Sequence, residues 1–153
     1  MMALAIIGLF NIAGCFAFGW AGGHYSKKRL LAAIYLVRGA LILFLMSAPL
    51  TPATLYLFAA GMGLTWLSTV PLTNGLVAQI FGLRYMAMLT GIVFFGHQIG
   101  SFVGIWLAGW LYDATGSYNV AFMIAVGLGV FAALVNLPVN ETPIAERRAA
   151  LAS

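Results

Sequence analysis

Five stretches of this chain are so long and so apolar that a bilayer is the only solvent that accounts for them. Helices are expected over about residues 2–20, 30–48, 54–80, 86–112 and 119–137. Each is near or above the roughly 20 apolar residues that cross about 30 Å of hydrocarbon. At that depth backbone N–H and C=O groups have no water to bond, so a spanning segment closes its own hydrogen bonds as a helix. The expected fold class is an all-α membrane protein of five antiparallel transmembrane helices within residues 1–138, followed by a tail over 139–153. Composition agrees: 63% of the residues are hydrophobic and 7% charged, against about 25% charged in a soluble domain.

The formal net charge of +4 does not point to nucleic acid. Every basic residue except Arg38 stands at a helix end, where it acts as an orientation signal. One cysteine, Cys15, excludes an internal disulfide and a cysteine-rich metal site. The sequence holds no phosphate-binding loop and no paired carboxylates. His24 lies in a loop and His97 in a helix, so a shared metal is not expected. The reading is therefore of a protein that is not an enzyme and needs no cofactor or metal. The first apolar run is not a signal peptide, because its basic residues, Lys27, Lys28 and Arg29, follow it instead of preceding it. Ile12-Ala13-Gly14-Cys15 resembles a lipid-attachment box, but it lacks a basic leader and follows the interrupting Asn11.

Glycine and proline punctuate the chain. Gly22-Gly23 is expected to end the first helix, Pro49 and Pro52 to part the second from the third, Gly82 to precede the fourth and Gly116 to follow it. Pro138 and Pro143 close the fifth. The tail from Asn140 is polar and expected to fray. Loops this short predict that consecutive helices are antiparallel neighbours. Basic residues occur in the first loop, in the third (Arg84) and in the tail (Arg147, Arg148), and the loops between them have none. That alternation places the N-terminus outside and the C-terminus in the cytoplasm.

A few residues inside the spans carry a signal. Gly96, Gly100 and Gly104 recur every four residues, a face that lets helix backbones approach closely in lipid. The same face would serve plain packing or a sliding surface in a transporter. His97 and Gln98 lie beside it, and Thr90, His97 and Ser101 share a stripe. An ionisable residue within a span is a functional candidate by default; the other reading of His97 is a neutral ring bonded across helices. Arg38 sits near the middle of the second helix, where a charge costs at least about 2.5–3.5 kcal/mol without a partner. Asp113, Glu141 and Glu146 all lie at helix ends or in the tail. Arg38 must then use carbonyls, water, a ligand anion or a carboxylate from elsewhere. Thr65, Thr69 and Thr73 line one face of the third helix with Trp66 beside them, and Pro71 is expected to kink it. Asn11 is the one strongly polar side chain in the first helix.

Gly19-Trp20-Ala21-Gly22-Gly23-His24-Tyr25-Ser26-Lys27-Lys28-Arg29 resembles the cytoplasmic loop motif of the major facilitator superfamily. Gly109-Trp110-Leu111-Tyr112-Asp113-Ala114-Thr115-Gly116-Ser117-Tyr118 resembles the outer end of that superfamily's eleventh helix in its monocarboxylate and oxalate–formate porters, and His97-Gln98-Ile99-Gly100-Ser101-Phe102 is similar to bacterial members of that branch. The resemblance implies helices eight to twelve of a twelve-helix transporter in a bacterial inner membrane. It departs from the motif at Gly23, where an acidic residue is usual, and at His24, often an arginine. The acidic residue that makes the motif's charge latch is therefore missing at this position.

The resemblance implies that the first, third and fourth helices face the substrate cavity or the partner half, and that the second and fifth are outer supports. Asn11, Trp66, Thr69, His97 and Gln98 become cavity candidates. Gly19, Lys27, Lys28, Arg29, Arg38 and Asp113 become structural or loop-motif residues. The expected function is that of a secondary transporter, as a C-terminal fragment, moving a small organic solute such as a monocarboxylate-type anion by alternating access. Its expected partners are the bilayer, the solute and the missing N-terminal half. The rival is a five-helix membrane protein that transports nothing and serves as an assembly or regulatory partner. The orientation is open to test. In a Cys15→Ser background, a cysteine at Ala53 should react with an impermeant maleimide in intact cells, and one at Ser26 only after permeabilisation. Labelling of Ser26 in intact cells would reverse the topology.

Overall fold

The computed structural model describes residues 2–152, so Met1 and Ser153, the outermost residues of the expected bundle and tail, lie outside the described residues. The elements are α1 (Met2–His24), α2 (Lys27–Ser47), α3 (Pro52–Trp66), α4 (Thr69–Phe81), a short 3₁₀ turn (Leu83–Tyr85), α5 (Met86–Thr115), α6 (Asn119–Asn136) and α7 (Ile144–Ala152). Among the described residues five helices are long and apolar enough to cross a membrane, with α3 and α4 together making the third, Pro52–Phe81, of 30 residues.

Three boundaries differ from expectation. Helix α1 does not stop at Gly22-Gly23 but runs on to His24. A Cβ on Gly22 would lie 2.7 Å from the Leu72 side chain, so that glycine serves close packing instead of termination. The third span, expected over 54–80 with a kink at Pro71, starts at Pro52 and is interrupted at residues 67–68, ahead of the proline. Thr51 caps its start, accepting from the Thr54 N–H while the Thr54 hydroxyl oxygen accepts from the Thr51 N–H. The tail is also more ordered than expected. Residues 144–152 form α7, and Arg147 donates to the carbonyls of Asn140 and Thr142.

The tail is anchored by Glu141. Its carboxylate accepts from the Lys28 N–H at 2.9 Å, in the first turn of α2, where the N-cap Ser26 makes no side-chain capping bond. A carboxylate there meets free N–H groups and the positive end of the helix dipole. Burial pushes this carboxyl up, but the N–H groups of Lys28 and Lys27 and the Lys28 charge outweigh it and hold the group below the ordinary glutamate range. The Ser26 hydroxyl contributes in the same direction although it makes no well-formed hydrogen bond. Around it Lys28 Nζ donates to the Val139 carbonyl at 2.8 Å, Lys27 Nζ to Gln79 Oε1 at 2.7 Å, and Gln79 Nε2 to the Glu141 carbonyl at 3.0 Å. Just above lies the main apolar cluster, Leu31, Ile34, Leu72 and Leu76, with Val139 packed against it.

For α1 and α2 the principal neighbours are not the consecutive helices. α1 packs chiefly on α3, and α2 chiefly on α6. A short loop fixes only where two helix ends meet; contact along their length follows the faces that approach most closely. A Cβ on Gly14 of α1 would sit 2.0 Å from the Leu64 carbonyl oxygen, and one on Gly63 of α3 would sit 2.6 Å from the Ile7 carbonyl oxygen. The α2–α6 seam uses Gly129, whose Cβ would lie 3.2 Å from the Tyr35 carbonyl oxygen. By contrast, α5 buries none of its residues among the described elements, and a Cβ on Gly96, Gly100 or Gly104 would meet nothing within 4 Å. Overpacking a tight contact costs about 1–3 kcal/mol. Gly14→Val and Gly63→Val should therefore each lower the heat resistance of the detergent-solubilised chain, read as monodisperse protein left after heating, while Gly100→Val should leave it unchanged. Equal losses for all three would reject this assignment of the contacts.

Candidate functional site

The interruption of the third span builds the site. Pro71 has no N–H and its ring crowds the carbonyl four residues earlier, that of Leu67. The chain responds by tightening: the Val70 N–H donates to the Leu67 carbonyl at 3.0 Å, a three-residue step. The Leu67 N–H leaves the helix ladder and donates to Asn11 Oδ1 of α1 at 3.1 Å. On the other flank Arg38 of α2 donates through Nη2 to the carbonyls of Thr65 and Trp66, the latter at 2.5 Å. Its guanidinium lies 5.7 Å from the centre of the Tyr35 ring. Ser68, fully buried at the turn, donates to the Leu64 carbonyl. Three side chains thus serve backbone groups near the midpoint of a span.

Beside this break lies an open cavity of about 460 Å³ lined by Cys15, Phe16, Leu67, Val70, Pro71 and Asn74. Its walls are α1 and the start of α4. Cys15 stands four residues after Asn11 and so on the same face of α1. Asn74 holds the polar edge: its Oδ1 accepts from the Thr90 hydroxyl of α5 at 3.4 Å, a long contact. A second cavity of about 340 Å³ lies between α2, α3 and α6, with Arg38, Tyr35 and Met62 in its wall.

The structure gathers some of the sequence candidates and separates others. Asn11 sits at the break. Trp66 contributes its carbonyl there, while the residue as a whole is 55% exposed. Thr69 opens α4. Thr65 bonds back to Gly61 and Met62 of its own helix. His97 and Gln98 lie on the exposed face of α5, and the contact formed by the His97 ring is with Phe94 of the same helix, 6.2 Å between centres. Gly19 faces Pro71, with a Cβ there 3.9 Å from the proline Cβ. Lys27 and Lys28 enter the tail network, Arg29 is exposed, and Asp113 is exposed near the end of α5. That helix closes on Gly116 (φ 68°), whose N–H donates to the Tyr112 carbonyl at 2.7 Å. Among the described residues no cluster of metal-binding side chains occurs. Sequence reasoning passes over Cys15 and Asn74 as site residues. Their signal is spacing, four residues from Asn11 and three from Pro71.

An all-helical bundle with five apolar spans, a mid-span break and a polar-edged groove defines a polytopic membrane protein. The sequence matches the Major Facilitator Superfamily over residues 1–152, and the chain belongs to that family. It is 30% identical over 139 residues to Monocarboxylate transporter 12 of Rattus norvegicus, a match covering 86% of this chain and 28% of the relative. Monocarboxylate transporter 13 of the same species is 28% identical over 143 residues, covering 88% of this chain and 32% of the relative. A bacterial relative, the uncharacterized MFS-type transporter YcxA of Bacillus subtilis (strain 168), is 22% identical over 139 residues, covering 88% and 34%. The chain thus spans about a third or less of the length of these relatives. No solved structure matches at a comparable level.

Cross-helix hydrogen bonds in membrane bundles average about 0.6 kcal/mol and reach about 1.7. Asn11→Leu, which strands the Leu67 N–H, should destabilise the chain within that range, and Asn11→Gln should retain more of the stability because its uncharged amide keeps an acceptor. Unfolding in mixed micelles measures both. An Asn11→Leu protein as stable as the parent would show that Leu67 finds another acceptor.

Proposed function

We propose that the chain forms one wall of a secondary transporter for a small organic anion of the monocarboxylate type, working by alternating access with helices outside these 153 residues. The observation that carries this reading is the broken third span beside the groove of Cys15 and Asn74. Irregular backbone at membrane depth is tolerated where it lines a cavity or is buried in protein, and discontinuous helices are where transporters commonly place their substrates. Family membership and the names of the relatives support the same reading. In this proposal the N-terminus lies outside and the tail in the cytoplasm, as the basic loops require.

The unfilled face of α5 has its place here. Gly96, Gly100 and Gly104 would meet the completing helices, and His97 and Gln98 would face the space between the two halves. His97 would then offer hydrogen bonds to a carboxylate or carry a proton. Arg38, on the α2 side of the break, would act on backbone instead of solute.

Transport assays test this. The 153-residue chain alone in vesicles should show no saturable uptake of radiolabelled L-lactate or related short acids. Co-expressed with the seven N-terminal helices of a bacterial relative, it should do so. In that complex His97→Ala should lower uptake about tenfold or more, the effect of about 1.4 kcal/mol, at unchanged surface expression. His97→Gln keeps a donor and an acceptor but cannot titrate. It should retain part of the uptake and, if His97 carries the proton, lose its pH dependence. Normal uptake by His97→Ala would return His97 to a packing role. Saturable uptake by the chain alone would overturn the need for completing helices.

A further inference from the structure

Arg38 stands out because its charge has no acidic partner within reach of the spans. Asp113, Glu141 and Glu146 are the acidic residues of the chain, and all three lie outside the middle of the helices. Its guanidinium is instead engaged by the Thr65 and Trp66 carbonyls at the C-terminal end of α3. A helix C-terminus carries partial negative charge and presents carbonyls without intrahelical donors. A break in mid-span creates such an end far from both membrane surfaces. The guanidinium, planar and rich in donors, suits two adjacent carbonyls better than a point charge does. Arg38 Nε is buried without a partner among the described residues, so one donor of this costly charge is given up to hold the geometry.

The next residue after those carbonyls, Leu67, lines the groove, as do Val70 and Pro71. Holding the end of α3 therefore fixes where the first turn of α4 stands against Cys15. We propose that Arg38 is a positioning residue for the groove: it clamps the end of α3 so that the backbone step imposed by Pro71 keeps one conformation, and it does so without touching the solute. This rests on the transport reading only for its consequence, since the clamp itself is a statement about backbone.

Cys15 supplies a reporter, being the one cysteine and part of the groove wall. Its alkylation by N-ethylmaleimide is followed in membrane vesicles holding the full chain, in four forms: parent, Arg38→Met, Pro71→Ala, and both together. If the clamp serves the break, Arg38→Met frees the α3–α4 junction and speeds alkylation by about fivefold, corresponding to about 1 kcal/mol. Pro71→Ala restores the missing N–H and lets the ladder close through the junction, so adding Arg38→Met in that background should change the rate less than about twofold. Arg38→Lys should fall between parent and Arg38→Met. If Arg38→Met does not accumulate in membranes, accumulation of the double variant supports the clamp as well. Equal effects of Arg38→Met in both backgrounds, including failure to accumulate in both, overturn it. So does an unchanged rate in both. Failure of the transport reading has a different signature: no lactate uptake by the completed transporter while the coupling between Arg38 and Pro71 persists.

Discussion

One missing N–H organises the centre of this bundle. Pro71 cannot donate to the Leu67 carbonyl, and in lipid no water replaces the lost bond. The third span therefore has to find donors and acceptors from its neighbours midway along its length. Asn11 accepts the displaced Leu67 N–H from the α1 side, and Arg38 supplies donors to the Thr65 and Trp66 carbonyls from the α2 side. Each of these polar residues is costly in an apolar helix when considered alone. Together with the break they satisfy one another, so the three elements form a single device in which no member is dispensable without exposing another.

That device needs the helices to lie close. Asn11 has a short side chain, and it reaches the α3–α4 junction because α1 and α3 touch backbone to backbone at Gly14 and Gly63. The same closeness sets α1 beside the start of α4, where the groove of Cys15 and Phe16 lies. Glycine here is a matter of approach distance, since both positions have ordinary helical backbone. The glycines of α5 at 96, 100 and 104 recur every four residues but meet open space. A small-residue face in sequence says that close approach is permitted; it does not say to whom.

This contrast explains what the sequence reveals and what it hides. The five spans are legible because length and hydrophobicity alone decide them in a bilayer. Pro71 announces a disturbance, but its site at residues 67–68 depends on the partners that Asn11 and Arg38 offer, and those are tertiary. The sequence narrows Arg38 to carbonyls, water or a foreign anion, because no carboxylate is placed to meet it. Which carbonyls it chooses follows from the break. The tail looks polar and free when read alone. It is held because the first turn of α2 offers unpaired N–H groups that Ser26 leaves uncapped, and Glu141 lies within reach. The loop motif lacks its usual acid at Gly23, in the last turn of α1, while Glu141, far along the chain, brings a carboxylate to the neighbouring first turn of α2.

The bundle is consequently uneven in how well it is finished. On the α1–α3 and α2–α6 seams backbone and side-chain atoms approach to contact distance. On α5, with its histidine, glutamine and bare glycines, the described residues supply almost nothing. A helix of 30 residues with large aromatic side chains on several sides gains little from lipid contact alone, because association of helices in a bilayer rests on packing and hydrogen bonds. Its small-residue stripe and its polar pair lie together, so one approaching helix would close the first and bring the second to an interior surface. In the proposed reading, this unevenness would suit a two-part transporter, with a packed seam on one side and an open face for the other part to meet.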